Sequence, residues 1–136
     1  MKILVVDDNR DFAETLADIL RINGHDADSA YSGEAAVSLF EKAKYDLAFI
    51  DVKLPGRNGV EFFLDIRKKV SDCRFVLMTG YKVNELLNFA VENGAVGVLE
   101  KPFDAEEVLD IIRNVRKGSN DDKKSPRLIY KSGKKK

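Results

Sequence analysis

The chain lacks tryptophan altogether and has one cysteine and one histidine among its 136 residues. A zinc site built from Cys and His is excluded by that count, since it needs three or four such ligands. Cys73 has no partner for an internal disulfide, so it reads as a partly buried structural thiol in a chain suited to a reducing compartment. No apolar run approaches the roughly 20 residues that cross a bilayer. Nor does a charged n-region, an apolar h-region and a small-residue cleavage site open the chain. A cytoplasmic location with no membrane partner is the expectation.

Net charge is also missing, because 23 Lys and Arg balance 23 Asp and Glu. The balance is uneven along the chain. Residues 118–136 hold seven basic against two acidic side chains, leaving a tail of +5 and a body of −5. At 44% hydrophobic residues, a chain of this length supports one core of ordinary size and not two. The division expected is one domain over 1–117, followed by a basic, flexible tail or linker over 118–136. Gly118 to Pro126 has a linker's polar composition, and Leu128-Ile-Tyr130 is too small an apolar patch to fold alone. Weak contact with nucleic acid through the tail is not expected of this chain alone, since its charges lack a rigid face and no helix-turn-helix follows.

What is present is a repeated alternation. Short apolar runs at 2–6, 47–50 and 75–78 end in Asp7-Asp8, Asp51 and Thr79, and weaker strands are read at about 26–31 and 96–99. Helical periodicity lies between them: Phe12, Leu16, Ile19 and Leu20 share one face, as do Val108, Ile111, Ile112 and Val115. Helices are expected near 10–22, 33–43, 58–69, 83–93 and 104–117. Asn23-Gly24 and Asn93-Gly94 read as helix C-termini, while Asn58 with Glu61 and Asp104 with Glu107 have capping-box spacing. Phe62, Phe63, Phe12 and Phe40 suit helix faces packed on a sheet. Continuous apolar strands alternating with helices imply an α/β fold, a doubly wound five-stranded parallel sheet with helices on both faces.

In such a sheet the carboxyl ends of the strands frame the ligand crevice, which gathers Asp7, Asp8, Asp51, Thr79 and Lys101 on one edge. Two like charges about 5 Å apart at an effective dielectric near 20 repel by roughly 3 kcal/mol. Lys101 offsets part of this repulsion, and a divalent ion would offset more. An all-carboxylate ligand set favours Mg2+ over zinc or copper. A metal, an isolated Asp, a hydroxyl and a Lys around one crevice suit phosphoryl transfer, in which an Asp oxygen attacks phosphorus and the protein is its own substrate.

The segments Leu4-Val-Val-Asp-Asp-Asn9, Asp51-Val-Lys-Leu-Pro-Gly-Arg-Asn-Gly59, Met78-Thr-Gly80 and Asn93 to Phe103 resemble the receiver domain of two-component response regulators, over residues 2–117. The resemblance implies the flavodoxin-like strand order 2-1-3-4-5. It implies that Asp51 is the phosphoacceptor, charged by a phosphohistidine on a histidine kinase or histidine phosphotransfer protein, in a phosphorelay that switches binding to a downstream protein. Asp8 and Asp51 would ligate Mg2+, Asp7 mainly through a metal-bound water, with the backbone carbonyl of Lys53 completing the set. Lys101 and Thr79 would stabilise the phosphoryl group, and the Lys101–Pro102 peptide would be cis. Lys53 and Tyr81 occupy positions that tune the acyl-phosphate lifetime, and partner choice would lie along Arg10 to Arg21.

One departure stands out: Val98 occupies the position, three residues before Lys101, where the family often has Tyr or Phe. The usual aromatic readout is absent, leaving backbone shifts in 52–59 and 79–85 to carry a signal. Two alternatives stay open. The chain reads also as the receiver fragment of a longer DNA-binding or ATPase-linked regulator. An Asp-nucleophile phosphatase is disfavoured because Lys53 stands where such enzymes have a general-acid Asp, so beyond self-dephosphorylation no enzyme activity is expected. His25, at the start of the second strand, reads as a surface or structural residue and not as a phosphohistidine.

Overall fold

Residues 1–80, 84–117 and 128–130 are described by a computed structural model. Strand and helix alternate through β1 (Lys2–Val6), α1 (Arg10–Ile22), β2 (Asp26–Ala30), α2 (Gly33–Lys42) and β3 (Leu47–Asp51). A short hairpin follows, β4 (Lys53–Leu54) and β5 (Arg57–Asn58), and then α3 (Gly59–Lys69). The chain continues through β6 (Arg74–Thr79), α4 (Asn84–Glu92), β7 (Gly97–Glu100), α5 (Ala105–Lys117) and β8 (Leu128–Tyr130). The main sheet runs β2-β1-β3-β6-β7-β8, with every pairing parallel. Its first five members are the expected doubly wound sheet in flavodoxin-like order, because the hairpin strands form a separate pair.

Two features differ from the sequence reading. The segment 53–58 forms a two-stranded antiparallel ribbon where only a loop was expected. Residues 128–130, inside the stretch read as tail, extend the sheet by pairing with β7. Three residues cannot build a core, but they can borrow an existing ladder. The remaining tail positions, 118–127 and 131–136, lie outside the described residues.

Burial follows from the parallel arrangement, since helices cover both faces. Ile3, Val5, Leu47, Phe49, Val76 and Met78 point toward α1 and α5, whereas Leu4, Val6, Ala48, Ile50, Phe75 and Leu77 point toward α2 and α3. Alternation along a strand therefore splits the core into two layers, one closed by α1 and α5 and the other by α2, α3 and Ala90 of α4. On α1 the buried set is Ala13, Leu16, Ala17 and Leu20. On α5 all four periodic residues are buried. Phe62, Phe63 and Phe40 are core residues as expected, but Phe12 is only half-buried.

Helix ends place the loops that carry the polar residues. The Asn9 side chain caps α1 by accepting from the Phe12 N–H at 3.1 Å. Asp104 and Glu107 form a reciprocal capping box at the start of α5, each bond 3.0 Å. Asn58 caps α3 through the Val60 N–H at 2.7 Å and not through Glu61. Gly24 and Gly94 adopt φ of +90° and +100°, the left-handed conformation that ends α1 and α4. No described helix is long and apolar enough to cross a membrane. Cys73 is buried, which pushes its thiol up to about 12, so it carries no thiolate at neutral pH.

The two-layer core sets a stability contrast. Phe63 is fully buried and stacks edge-on with Phe75 at 5.6 Å. Phe63→Ala is expected to lose about 3–5 kcal/mol in urea unfolding. Ile22→Ala, at the exposed end of α1, is expected to change stability by under about 0.5 kcal/mol.

Candidate functional site

Four strands deliver polar groups to a common rim because they run parallel and stop at the same level. Asp7 and Asp8 follow β1, Asp51 closes β3, Thr79 closes β6 and Lys101 follows β7. Carboxylate oxygens of Asp7, Asp8 and Asp51 lie within 4.8 Å of one another. Among the described residues this is the group of three acids able to hold a metal ion. Asp7 and Asp51 are buried, and Asp8 is exposed to incoming solutes.

Each acid is held differently. Asp7 Oδ1 accepts the Asn9 N–H at 3.0 Å, and its Oδ2 accepts from Lys101 Nζ at 2.7 Å. The same ammonium stands 3.6 Å from Asp51 Oδ2. One cation thus serves two buried anions, with the shorter contact made to Asp7. Asp51 accepts the Lys53 N–H, yet burial first, and then the charge of Asp7, push its carboxyl up to about 6. Asp8 adds to the upward push, while Lys101 and the Lys53 N–H oppose it.

The backbone fixes these positions closely. Lys101 N–H donates to the Thr79 carbonyl at 2.7 Å, tying the ends of β6 and β7 together. Val52 N–H donates to the Met78 carbonyl at 2.9 Å, and Gly59 N–H to the Val52 carbonyl at 2.8 Å. A Cβ at Gly59 would stand 2.0 Å from the Asp51 carbonyl oxygen and 2.6 Å from Val52 Cα. Only glycine lets the start of α3 pack against the strand that presents Asp51. The Lys101–Pro102 bond is cis.

Two contributors escaped the sequence reading. Phe12, assigned there to the core, lies beneath the rim with the Lys101 ammonium 4.3 Å from its ring centroid. Phe103 holds that ring edge-on at 5.6 Å. The signal was an aromatic three residues past the helix cap, which periodicity alone assigns to packing. Gly59 was visible only as part of a motif, because a backbone approach leaves no trace in hydropathy.

The remaining candidates are distributed as follows. Thr79 is buried at the rim, one residue past Met78, which is the β6 register partner of Asp51. Lys53 is exposed and paired with Asn58 in the hairpin. Tyr81 lies outside the described residues. His25 lies at the amino end of β2, on the opposite side of the sheet from the acids, and burial holds its imidazole below the usual range. A cavity of about 560 Å³ also opens at that far end, mixing Asp46 and Asp72 with Arg74 and Arg116. It lacks the concentration of like charge seen at the rim.

An uncompensated acid set is what a hard divalent cation accommodates: among the described residues three carboxylates face one ammonium, and no softer ligand is among them. Comparisons with known proteins bear on the family and the fold. The family model described as the response regulator receiver domain matches residues 3–113. A response regulator receiver protein of Anaeromyxobacter sp. (strain Fw109-5) is 34% identical over 110 residues, which are 81% of this chain and 46% of that protein. The chain thus spans less than half the length of that relative. Sporulation initiation phosphotransferase F of Bacillus subtilis is 30% identical over 112 residues, covering 82% of this chain and 90% of its own length. Among solved structures, a Burkholderia pseudomallei response regulator with a phosphorylated aspartic acid, a calcium ion and citrate superposes with a TM-score of 0.77 at 27% identity. That likeness covers 90% of this chain and 72% of the other.

The raised Asp51 carboxyl has a measurable consequence for folding. Its folded value of about 6 exceeds the ordinary 3.8. The unfolded chain therefore loses this proton first, and the group's contribution to stability falls as pH rises from 4 to 6. Above pH 6 the penalty is about 3 kcal/mol in metal-free protein. Asp51→Asn is expected to remove that slope and raise the melting temperature at pH 7.5 in chelator. Added Mg2+ should stabilise the wild type more than the variant. Calorimetric melts across pH 4–8 check both.

Proposed function

The chain belongs to the response regulator receiver domain family of two-component systems, and from that membership we propose that Asp51 accepts a phosphoryl group from a phosphohistidine partner. The observation that carries this reading is the placement of Asp51. It is buried at the rim, within 4.8 Å of two further carboxylates and 3.6 Å from Lys101. The solved relative with a phosphorylated aspartic acid has the same fold.

The transfer balances simply. An Asp51 carboxylate oxygen attacks phosphorus, an O–P bond forms as the donor N–P bond breaks, and the departing imidazole nitrogen keeps the electron pair and takes a proton. Burial and the neighbouring acids make Asp51 costly to ionise, and a cation at the rim reverses that bias. Asp8, Asp51 and the Lys53 carbonyl are the groups that would hold Mg2+, with Asp7 acting mainly through a metal-bound water. When bound, Mg2+ supplies positive charge against the phosphoryl oxygens. Asp7 suits the indirect role because its two oxygens already receive the Asn9 N–H and Lys101.

Lys101 neutralises the phosphoryl oxygens after transfer, guided by its seat over Phe12 and its backbone bond to Thr79. The Thr79 hydroxyl donates to one of those oxygens. Lys53 and Tyr81 control the access of hydrolytic water. The donor is a histidine kinase or histidine phosphotransfer protein, docking on the first helix from Arg10 to Arg21, and the output is altered binding to a downstream protein. The chain turns over no external phosphoester, because Lys53 stands where a phosphatase would need a general acid. Its workplace is the cytoplasm.

Mass spectrometry after treatment with acetyl phosphate and Mg2+ tests the assignment. The wild type is expected to gain one phosphate and Asp51→Asn none; a gain in both would show that the acceptor is elsewhere. Lys101→Ala should reduce the rate of gain by at least about tenfold, corresponding to roughly 1.4 kcal/mol of barrier. Lys53→Ala and Tyr81→Ala are expected to change the half-life of the phosphorylated form. If neither alters dephosphorylation, the tuning role is wrong.

A further inference from the structure

The outer edge of β7 is occupied by the chain itself. Leu128, Ile129 and Tyr130 pair in parallel with Gly97, Val98 and Leu99. Without them, β7 would present a row of open backbone N–H and C=O groups, the template on which extended segments add to sheets. Strand addition of this kind draws its affinity from main-chain hydrogen bonds, so a short segment of modest sequence suffices. A three-residue strand is too short to persist unless something keeps it near. Ten residues connect its start to the end of α5, which keeps the segment at high effective concentration beside the edge. The result is a docked strand whose backbone ladder with β7 is three residues long.

β7 is also the strand that ends in the site. Two residues beyond the Leu99–Tyr130 pair stands Lys101, whose N–H is bonded to Thr79 and whose ammonium is 2.7 Å from Asp7 and 3.6 Å from Asp51. A phosphoryl group on Asp51 would draw that ammonium from Asp7 toward Asp51, and the end of β7 would follow. Val98, where an aromatic side chain would ordinarily report such a movement, is buried and has Ile129 as its lateral partner. Because the ladder with β8 is only three residues long, it cannot yield at one end and hold at the other.

We propose that the β7 edge is a strand-addition surface whose intramolecular occupant is Leu128–Tyr130, and that the state of Asp51 is read out as release of this segment. The proposal rests on the reading of Asp51 as phosphoacceptor. Released, the edge becomes available to an extended segment of another protein, while the segment and its flanking Arg127 and Lys131 become a free basic-apolar ligand. Edge and site bias one element from two sides, so by reciprocity anything that stabilises the docked strand opposes modification of Asp51.

Hydrogen exchange on the full chain tests both halves. In the first arm, Leu128→Pro with Ile129→Pro is compared with wild type. One of two successive residues must direct its N–H at β7, so the pair removes a ladder bond whichever way the strand faces. The β7 amides are expected to exchange at least about tenfold faster in this variant, while Leu128→Val with Ile129→Val keeps wild-type protection. Unchanged β7 protection in the proline variant overturns the docking. In the second arm, wild type and Asp51→Asn are treated with acetyl phosphate and Mg2+, and intact mass reports modification independently. Residues 128–130 are expected to exchange at least about threefold faster in modified wild type and to be unaffected in Asp51→Asn. Modified protein with unaltered exchange at 128–130 overturns the readout and leaves the phosphoacceptor reading standing. No mass gain at all defeats that reading and the readout together, with the first arm still deciding whether the strand docks.

Discussion

Crowding of negative charge at one end of the sheet is the constraint around which this protein is organised. Three carboxylates within 4.8 Å repel one another, and two of them are buried, where repulsion is least screened. Among the described residues the Lys101 ammonium holds the arrangement together, 2.7 Å from Asp7 and 3.6 Å from Asp51. That asymmetry leaves Asp51 underserved, which is why burial and Asp7 drive its carboxyl up to about 6. The fold tolerates this instability because most of its core lies elsewhere, in two apolar layers of which Phe12 and Phe103 reach the rim.

The same parallel architecture that creates the crowding also makes it usable. Strands that run the same way end together, so residues far apart in the chain meet without any loop having to reach inward. Lys101 and Asp7 are 94 positions apart, yet their side chains form a short hydrogen bond. Supporting groups are equally non-local. Gly59 admits the start of α3 against Asp51, and Phe12 offers its ring to Lys101 from the first turn of α1. A site assembled this way is tied by backbone hydrogen bonds yet unbalanced in its charge.

The opposite margin of the sheet is closed by a short ladder. β8 consists of three residues and pairs with β7, the strand that leads to Lys101. The electrostatic centre and the short ladder therefore share one strand. Val98, on that strand, is buried.

Much of this could be read from residue order. The apolar runs ending in Asp7-Asp8, Asp51 and Thr79, with helical periodicity between them, determined a parallel α/β sheet and placed the polar groups on its carboxyl edge. Both follow from local rules, burial on two faces and strand polarity, that act on neighbouring residues. Tertiary structure alone decided the rest. Periodicity assigned Phe12 to packing, but the path of β7 brought Lys101 over its ring. Composition marked Leu128–Tyr130 as tail, since three apolar residues bury almost nothing by themselves and become a strand only where another strand's edge is open to them. Which oxygen Lys101 prefers, and hence which carboxylate is left wanting a charge, is a matter of tenths of an ångström between distant segments, and no pattern along a chain encodes a distance.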